Sequence, residues 1–588
     1  MIQVQTIPRN EYPRPQFVRE SWMNLNGWWQ FDYDDGDEGV RARWYGEAEL
    51  GRRINVPYVY QTKLSGIGET EFHPIVWYKR TFCVRTQGRT SRWLLNFGAV
   101  DYQAEVWVNG AYAGKHRGGH TSFTFDITEL MKDGENTLTV RAVDEPLNLE
   151  LPRGKQFWKG KSENIFYTGT TGIWQTVWLE EVPDNYVRRL FMTPDIDQKS
   201  VKMEIFAARP VDGTVGIRIS YKGQTMAEDE ARMFKGRLVR SFFLDQNINL
   251  EWEHRKYEWT PENPVLFDVS LTFVSGDGEA DRIDSYFAMR KVSVENGRFL
   301  LNNRPYYQKL VLDQGYWKDS LLTAPADEDF VRDILLSKEM GFNGARKHQK
   351  VEDPRYLYHA DRMGFLVWAE YSNAYIYSRE YAERMMPEWT EAVLRDYNHP
   401  CIVAWVPLNE SWGVDGIMYN REEQAHSQAM YYLTKSLDQT RLVISNDGWN
   451  HTVSDLLTIH DYEGKKETLL RRYQSKERII NDMPANRTLL AHGFTYENQP
   501  VIVSEFGGIS FKMEEMEGWG YTSTKSPEEY ALAYEAVVSA MLESEAVQGF
   551  VYTQLCDVEQ ETNGLLTYGR EPKIPLETIR RINEGGRG

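Results

Sequence analysis

Hydrophobic and polar residues alternate in short segments over the first third of the chain, from Trp22 to about Glu181. The segment "AEVWVNGAYAGKH", residues 104–116, changes side at every second position and is interrupted by an Asn-Gly pair. A period of two is that of strands with one buried face, and Asn-Gly favours the tight turn of a hairpin. The pattern predicts an antiparallel β domain with one hairpin turn at Val108–Gly110.

A second β segment follows, from about Tyr186 to Met289. The segments "VKMEIFAARP" and "LFDVSLTFVSG" again alternate between apolar and polar residues. Their spacing is typical of an immunoglobulin-like sandwich, which needs about a hundred residues.

From Arg290 onward the pattern changes. Helical patterns such as "DFVRDILLSKEMGF" and "PEEYALAYEAVVSAMLES" alternate with short apolar runs such as "CIVAWVPLN" and "PVIVSEFG". Strands that alternate with helices indicate parallel pairing through crossover units, and roughly 300 residues suit a (β/α)8 TIM barrel. We therefore predict a multidomain chain: a β jelly-roll sandwich at residues 1–183, an immunoglobulin-like β-sandwich at 184–291 and a TIM barrel at 292–588.

Composition narrows the classes of partner. The 86 acidic and 68 basic side chains leave a formal charge of -18, which opposes binding to nucleic acid or anionic membranes. Cys83, Cys401 and Cys556 lie far apart, so neither a disulfide framework nor a zinc site is indicated. The sequence contains no long apolar run and does not start with a leader pattern. We expect a soluble cytoplasmic protein, or a secreted one if a leader has been removed.

Two glutamates stand where a barrel places its chemistry. Glu410 ends "CIVAWVPLNE" and Glu505 ends "PVIVSE", and the C-terminal ends of barrel strands meet at one mouth. Cleavage of a glycosidic bond requires two facing carboxyl groups, one to protonate the leaving oxygen and one to attack or screen the anomeric carbon. A gap of about 5 Å would indicate a retaining reaction, and one of roughly 6.5 to 9.5 Å an inverting one. A single glutamate at such a place is more often a surface ion pair.

Polar and aromatic residues follow other predicted barrel strands. Asn409 precedes the first glutamate, where an amide can hydrogen-bond a ring hydroxyl of a sugar. Trp412 either walls the leaving-group side of the cleft or caps the barrel, and we favour the wall. The remaining candidates are Lys347, His348, Trp449, His460, Tyr462 and Tyr552. Each alone is as well explained by a satisfied loop residue, but together they predict a sugar-binding cleft.

The chain resembles glycoside hydrolase family 2, the family of β-galactosidases, β-glucuronidases and β-mannosidases. "VWVNG" and "TGIWQTVWLE" are similar to its jelly-roll sugar-binding domain, and "WTPENPVLFDVSLTF" to the end of its sandwich. "HPCIVAWVPLNES" and "PVIVSEFGG" are similar to blocks of its barrel. The similarity extends over nearly the whole chain, and the "NES" and "SEFGG" blocks are the most specific.

The resemblance implies a retaining exo-β-glycosidase with Glu410 as the general acid/base and Glu505 as the nucleophile. Asn409 would hold the 2-hydroxyl of the sugar, and Tyr462 would stand beside the nucleophile. Tyr552 falls where many members have a tryptophan platform for the sugar ring. The resemblance implies no metal or organic cofactor for catalysis, a carbohydrate substrate, and the dimer or tetramer that is common among relatives.

Three departures from the family pattern bear on the sugar. Phe166 stands where galactosidases and glucuronidases commonly carry Asp, and Gln349 stands at an expected histidine. Bacterial glucuronidases bind the uronate through an Asn-x-Lys pair, yet "TNGLL" around Asn563 contains no such lysine. Lys347 and Lys350 could bind a uronate instead, or could be solvated lysines of a loop.

We therefore expect a β-galactosidase-type substrate. A β-uronidase, either a glucuronidase or a galacturonidase, or a pentosidase such as an arabinosidase, is the alternative within the same class. A non-catalytic carbohydrate-binding protein is the alternative from another class, and the presence of both glutamates argues against it. The charge of Glu505 is expected to raise the pKa of Glu410 in the free enzyme.

Overall fold

The structure, a computed structural model of the chain, describes residues 7–86, 91–244, 255–276, 278–512 and 518–586. Two successive β-sheet regions are followed by a barrel of parallel strands, which confirms the predicted multidomain architecture. The outer ends of the predicted domains, residues 1 and 588, lie outside the described residues. The inner boundaries at 183/184 and 291/292 stay predictions.

The first β region consists mainly of two antiparallel sheets that share one core, in which Trp29, Leu95 and Val106 are buried. Its strands are β1 (Trp22–Asn24), β2 (Gly27–Tyr33), β3 (Arg52–Val56), β4 (Ile75–Val84), β5 (Arg92–Phe97), β6 (Val100–Asp101), β7 (Gln103–Val108), β8 (Ala111–Arg117), β9 (Phe123–Asp126), β10 (Gly134–Val143), β11 (Gly172–Ile173) and β12 (Val177–Val182). The sheet orders are β1-β12-β5-β9 and β3-β2-β4-β10-β7-β8, with β6 and β11 forming a small third pair. Asn109 and Gly110, with φ of 54° and 78°, make the two-residue turn between β7 and β8, which confirms the predicted hairpin.

The second β region is a sandwich of a three-stranded and a four-stranded antiparallel sheet, as an immunoglobulin-like fold requires. Its strands are β13 (Val187–Asp195), β14 (Ser200–Ala207), β15 (Gly213–Tyr221), β16 (Gln224–Met233), β17 (Arg237–Phe243), β18 (Phe267–Ser275) and β19 (Ala280–Phe287). The orders are β13-β14-β17 and β16-β15-β18-β19. Alternate residues of β18, among them Val269 and Leu271, point into the shared core.

A short antiparallel sheet of β20 (Val292–Glu295), β21 (Arg298–Leu301) and β22 (Arg304–Pro305) leads into the barrel. The barrel strands are β23 (Gln308–Asp313), β24 (Gly344–Lys347), β25 (Leu366–Glu370), β26 (Ile402–Val406), β27 (Leu442–Val443), β28 (Leu457–Asp461), β29 (Val501–Gly507) and β32 (Val547–Thr553), and the pair β30 (Ile509–Ser510) and β31 (Thr522–Ser523) lies between the last two. Neighbouring barrel strands pair in parallel in the order β27-β26-β25-β24-β23-β32-β29-β28.

Helices cover the outside of the barrel. They are α1 (Asp327–Glu339), α2 (Pro354–Met363), α3 (Arg379–Asp396), α4 (Arg421–Leu437), α5 (Lys466–Arg472), α6 (Lys476–Asn481), α7 (Pro527–Glu543) and α8 (Leu576–Asn583). Helix α2 begins at Pro354 because Asp353 accepts a hydrogen bond from the backbone of Arg355 and proline needs no partner at the first position. Among the described residues, no helix combines the length and apolarity that crossing a membrane requires.

Candidate active site

Two glutamates meet at the C-terminal mouth of the barrel. Glu505 lies within β29, and Glu410 lies four residues beyond the end of β26. One oxygen of each carboxylate and one ring nitrogen of His460 all lie within 4.8 Å of one another. The side chain of Glu505 is 7% exposed and that of Glu410 is 19% exposed, so both face a recess that is largely shielded from solvent.

His460, on β28, bridges the carboxylates of this recess. Its Nδ1 lies 2.7 Å from Glu410 Oε1 and 3.5 Å from Glu505 Oε2, and its Nε2 lies 2.7 Å from Asp447 Oδ2. Burial disfavours the imidazolium, but the negative charges of Glu505 and Asp447 outweigh it and raise the pKa of His460 to about 10. The ring is therefore charged at neutral pH and donates a hydrogen bond from each nitrogen.

This arrangement corrects the expected pKa of Glu410. Burial raises the pKa of its carboxyl group, but the hydrogen bond and the charge of His460 lower it further, and the net shift is downward. The prediction of a raised pKa is therefore wrong for the unliganded protein. The reason is that the charged ring of His460, a candidate residue whose position between the two glutamates was not predicted, lies beside both carboxylates.

Arg346, on β24, holds the base of the site together and is completely buried. Its guanidinium group reaches Glu370 Oε2 at 2.7 Å, Asp447 Oδ2 at 2.7 Å and Glu505 Oε1 at 2.9 Å. Burial opposes its charge, but these three carboxylates raise its pKa above the ordinary value. A planar guanidinium group with five donors can serve three acceptors at once, so it fixes the orientation of Glu505.

Asn409 precedes Glu410, and only the oxygen of its side-chain amide is hydrogen-bonded. Its Oδ1 accepts a hydrogen bond of 2.6 Å from Arg346, and its backbone N–H donates to Asn373 Oδ1 at 2.8 Å. Its Nδ2 is buried and has no hydrogen-bond acceptor among the described residues. The amide N–H groups can therefore be offered to a ligand in the recess.

His348 and Tyr462 flank the two glutamates. His348 Nδ1 lies 3.1 Å from Arg346 Nη2 and 3.2 Å from Glu370 Oε1, and burial followed by the charge of Arg346 lowers its pKa well below the ordinary value. Tyr462 donates a hydrogen bond of 2.5 Å to Glu505 Oε2, and its ring stacks on Tyr521 at 3.5 Å between centroids. The second carboxylate oxygen of Glu505 is thus held by a hydroxyl group.

The two candidate tryptophans lie on different sides of the recess. Trp449 packs edge-on against His460 at 5.5 Å between ring centroids. Trp412 contacts Phe166 and Tyr375 at 5.5 and 5.4 Å between ring centroids. Trp412 therefore belongs to an aromatic wall that the first β region and the barrel build together, which agrees with the wall and not with a barrel cap.

Lys347 does not reach the mouth of the barrel. Its ammonium group lies 2.5 Å from Asp313 Oδ2 and 2.9 Å from Glu352 Oε2, and its side chain is 1% exposed. Burial opposes its charge, but the two carboxylates raise its pKa. The prediction that Lys347 contacts the substrate is therefore wrong, because the ammonium group is neutralised on the outer side of the strand. Lys350 likewise binds Glu352 and the carbonyl oxygens of Gly315 and Leu322.

Tyr552 is not a platform for a sugar ring. It is fully buried, and its ring lies 4.8 Å from that of Tyr534 on α7 and 5.6 Å from that of Phe506 between centroids. The side chain therefore points from β32 toward the helical layer, which corrects the assignment by resemblance. Thr553, the next residue, faces the site and lies 3.3 Å from the Tyr462 hydroxyl group.

The first β region completes the mouth through residues 148–168, which we call the bridging loop. Gly154 N–H donates to Asn373 O at 3.0 Å, and Tyr167 donates a hydrogen bond of 2.5 Å to Glu561. Lys155 from this loop lies over the ring of Trp412 at 5.4 Å. Sequence reasoning missed Lys155, because nothing local indicates that a loop of another domain crosses the barrel. It also missed Glu370, although this residue ends β25 and has the same strand-end position that indicated the other two glutamates.

Two groups of side chains bring three donor atoms of the kind that bind metal ions within 4.8 Å of one another, in the described part of the chain. One is Glu410, His460 and Glu505, and the other is Asp361, His399 and Cys401. In the second group, His399 Nδ1 lies 2.6 Å from Asp361 Oδ2, and the same carboxylate accepts a hydrogen bond from Tyr286. These side chains therefore satisfy one another across the contact between the second β region and the barrel.

Two family models match the chain. The sugar binding domain of glycosyl hydrolases family 2 matches residues 22–179, and the TIM barrel domain of the same family matches residues 292–581. A β-galactosidase of Photobacterium profundum is 24% identical over 480 residues, which are 74% of this chain and 44% of that protein. A β-glucuronidase of Felis catus is 24% identical over 493 residues, which are 77% of this chain and 73% of that protein.

The chain spans about half the length of the first curated relatives that it matches, from 44% to 52%. Solved structures match it over almost its whole length. A β-galacturonidase from Eisenbergiella tayi has a TM-score of 0.75 at 19% identity, covering 98% of both chains. A β-glucuronidase from Ruminococcus gnavus in complex with D-glucuronic acid has a TM-score of 0.78 at 19% identity, covering 98% of this chain and 99% of that one. At this identity the likeness establishes the fold.

Proposed function

Because the chain belongs to glycoside hydrolase family 2 and is a glycoside hydrolase, we propose that it is a retaining exo-β-glycosidase that works by double displacement. The observation that carries the proposal is the separation of Glu410 and Glu505, whose carboxylates approach within 4.8 Å. Retaining enzymes hold their two carboxyl groups about 5 to 5.5 Å apart, whereas inverting ones leave room for a water molecule between them.

In the proposed mechanism Glu505 attacks the anomeric carbon. Arg346 and Tyr462 each hold one of its oxygens, at 2.9 and 2.5 Å, so the carboxylate is oriented before the substrate binds. The free amide N–H groups of Asn409 hydrogen-bond the 2-hydroxyl of the sugar, an interaction that strengthens as charge develops on the ring. Departure of the aglycone leaves a glycosyl ester on Glu505, which water then hydrolyses.

Glu410 delivers the proton to the leaving oxygen and later accepts one from water. In the unliganded protein this carboxyl group is ionised, and the proton resides on His460 at 2.7 Å. A sugar that enters the recess displaces water and separates these charges from solvent, which favours transfer of the proton from His460 to Glu410. Once this proton has left with the aglycone, Glu410 is a carboxylate again and accepts a proton from the water that hydrolyses the ester.

Two sugar classes remain as proposals. A β-galactoside is supported by the curated β-galactosidases that the chain resembles, whereas Phe166 replaces a residue that galactosidases commonly use. A β-uronide is supported by Lys155, a buried cation beside the recess. We also propose a cytoplasmic location, supported by the three unpaired cysteines, and the dimer or tetramer stays a prediction.

A trapping experiment tests the mechanism. The protein is incubated with activated 2-deoxy-2-fluoro β-glycosides of galactose and of the two uronic acids, which form the glycosyl ester but hydrolyse it slowly. We expect one added sugar per chain, on the peptide that contains Glu505, and no addition to a Glu505→Gln variant. The Glu410→Gln variant should lose roughly 10²- to 10⁴-fold in turnover of poorly activated substrates. A first-formed product of inverted configuration, or a label on another residue, would contradict the proposal.

A further inference from the structure

Lys155 carries a buried positive charge without an acidic partner. The residue is 7% exposed, and within the described ranges no carboxylate oxygen lies within ion-pair distance of its ammonium group and no acceptor hydrogen-bonds it. Its contacts are the faces of two rings, Trp412 at 5.4 Å and Tyr167 at 6.0 Å. An ammonium group removed from water without a counter-charge is costly, so this position calls for an explanation.

Three buried lysines of the barrel are each paired with a carboxylate, whereas Lys79 of the first β region donates to the carbonyl oxygens of Gly46 and Ala48. Lys347 is paired with Asp313 and Glu352, and Lys573 with Asp557 at 2.7 Å. Lys350 binds Glu352 at 3.0 Å. In contrast to these paired ammonium groups, that of Lys155 has no carboxylate partner in the described chain. It is therefore available to an acidic group from outside the chain.

The backbone around Lys155 is fixed rather than adaptable. Gly154 has a φ of 61°, and a Cβ atom there would lie 2.5 Å from Gln349 O, so the loop is pressed against the end of β24. The hydroxyl group of Tyr375 lies 2.5 Å from Gly154 O and 3.0 Å from Gln156 O. The backbone on either side of Lys155 is thus anchored to the loop that follows β25.

The ammonium group lies near the proposed acid/base, Glu410. Trp412, over which it sits, follows Glu410 by two positions. Burial raises the pKa of Glu410, His460 lowers it, and the charge of Lys155 lowers it further. At His348, burial and Arg346 lower the pKa first, and Lys155 adds to them. Lys155 therefore lies within electrostatic reach of both side chains.

We propose that Lys155 is a specificity-determining residue that binds a carboxylate group of the substrate. The inference rests on the proposed glycosidase function and deepens it. The carboxylate has two sources, the uronic acid that is cleaved or an acidic leaving group, and both would form the same charge-assisted contact with the ammonium group. Trp412 and Phe166 then present apolar faces beside that contact.

The test compares matched acidic and neutral substrates. For the cleaved sugar, kcat/KM is measured with 4-nitrophenyl β-galacturonide against β-galactoside, and with the β-glucuronide against the β-glucoside. For the leaving group, the β-galactoside of 4-hydroxybenzoate is compared with that of its methyl ester. Lys155→Met should lower kcat/KM roughly 10- to 150-fold for the acidic substrates of one of these comparisons, because a hydrogen bond to a charged group is lost. For the matched neutral substrates, kcat/KM should fall less than about threefold.

Controls separate this role from a structural one. Lys161→Met, at an exposed lysine of the same loop, should match the wild type, and Lys155→Arg should recover part of the acidic activity because it keeps the charge. Titration calorimetry with galacturonate, glucuronate, galactose and glucose on the wild type needs no variant to fold. We expect at least about tenfold tighter binding of one acid than of its neutral sugar.

Specific results would overturn the inference. Equal losses on acidic and neutral substrates in Lys155→Met, in every comparison, would reject the carboxylate contact while the glycosidase function stands. Equal binding of acids and neutral sugars by the wild type would reject the uronic acid as the source of the carboxylate. If the wild type cleaves none of these substrates, the proposed function fails instead. In that case, uronate binding that Lys155→Met loses would still support the contact, and its absence would reject it as well.

Discussion

At the scale of single residues, the site is an alternation of opposite charges. Arg346 and His460 are cations, and each touches both Asp447 and Glu505. Because both cations are buried, each depends on its carboxylate partners to stay charged, and the partners depend on them. The orientation of the acid pair is therefore a property of the whole cluster.

His460 should make stability depend on pH in a defined window. Its pKa is raised from an ordinary value near 6.5 to about 10 in the folded chain. A raised pKa contributes stability that is complete below about pH 6.5 and is lost as the pH rises toward 10. We expect the difference in unfolding free energy between the wild type and His460→Gln to shrink from pH 6 to pH 10, measured by urea denaturation. A difference that does not shrink over this range would mean that His460 is neutral in the folded protein.

Lys347→Met should act on stability and not on sugar preference. The substitution leaves Asp313 and Glu352 buried without their shared cation, and breaking a buried pair typically costs about 3 to 5 kcal/mol. The urea midpoint should fall accordingly, while the ratio of kcat/KM for uronide and neutral substrates stays at the wild-type value in the folded fraction. A selective loss of uronide activity would instead return Lys347 to the substrate site.

At the scale of elements, the bridging loop is attached to the mouth of the barrel. Its polypeptide backbone, and not only its side chains, is hydrogen-bonded to the barrel loops that follow β25 and β32. Tyr375 N–H donates to Leu149 O at 2.9 Å, and Gln560 donates to Phe166 O at 2.8 Å. The aromatic wall beside Glu410 is therefore anchored on both sides by hydrogen bonds to the barrel.

Tyr375→Phe should loosen this loop without unfolding the protein. The change removes the hydroxyl group that lies near Gly154 O and Gln156 O, the carbonyls on either side of Lys155. We expect a loss of about 0.5 to 1.5 kcal/mol in unfolding free energy and a larger KM for the preferred substrate, with kcat reduced less. Kinetics and urea melts on the same preparation check this, and Tyr419→Phe, at an exposed tyrosine, is the matched control.

The sequence was sufficient to predict the helices and strands, and to predict which residues lie on one face of each strand. The helix predicted at 329–342 is found at Asp327–Glu339, and the strand predicted at 500–507 at Val501–Gly507. The errors at Lys347 and Tyr552 have one physical cause. Successive residues of a strand point to opposite faces, so a reading displaced by one position exchanges the mouth for the helical layer.

In β24, Arg346 points into the barrel, whereas the ammonium group of its neighbour Lys347 lies 4.3 Å from the ring centroid of Tyr356 on α2. In β32, Thr553 faces the site, whereas its neighbour Tyr552 faces the helical layer. The meeting of Glu410 and Glu505 followed from the barrel fold, but other contacts between distant segments could not be predicted. His460 between the glutamates and Lys155 above Trp412 depend on how strands and loops far apart in the chain come together.

At the scale of the whole molecule, each β region contributes residues to the core of the barrel. The hydrophobic cluster of the barrel includes Tyr167 and Trp174 from the first β region and Trp259, which precedes β18, from the second. Tyr102 of the first region and Tyr371 of the barrel both hydrogen-bond the buried Glu388. An apolar and partly charged contact of this kind favours concerted unfolding over independent domains.

Trp259→Ala should therefore destabilise the barrel, although Trp259 belongs to the second β region. The ring is completely buried, and its N–H donates to Asp361 O at 2.8 Å. Truncating such a side chain typically costs about 3 to 5 kcal/mol, measured as a fall in the urea midpoint, while kcat of the folded fraction is retained. Leu532→Ala, at a residue that is 67% exposed on α7, should change stability by less than about 0.5 kcal/mol. A separate early transition that leaves barrel signals unchanged would show that the parts unfold independently.

The bridging loop has a consequence for how this enzyme could diversify. The proposed catalytic pair lies at the ends of barrel strands, whereas Lys155 and Phe166 are encoded more than two hundred codons upstream, in the first β region. If Lys155 determines the substrate as we propose, inherited changes in that upstream stretch alter substrate preference while the two glutamates stay unchanged. Substrate preference and catalytic chemistry are then open to separate selection.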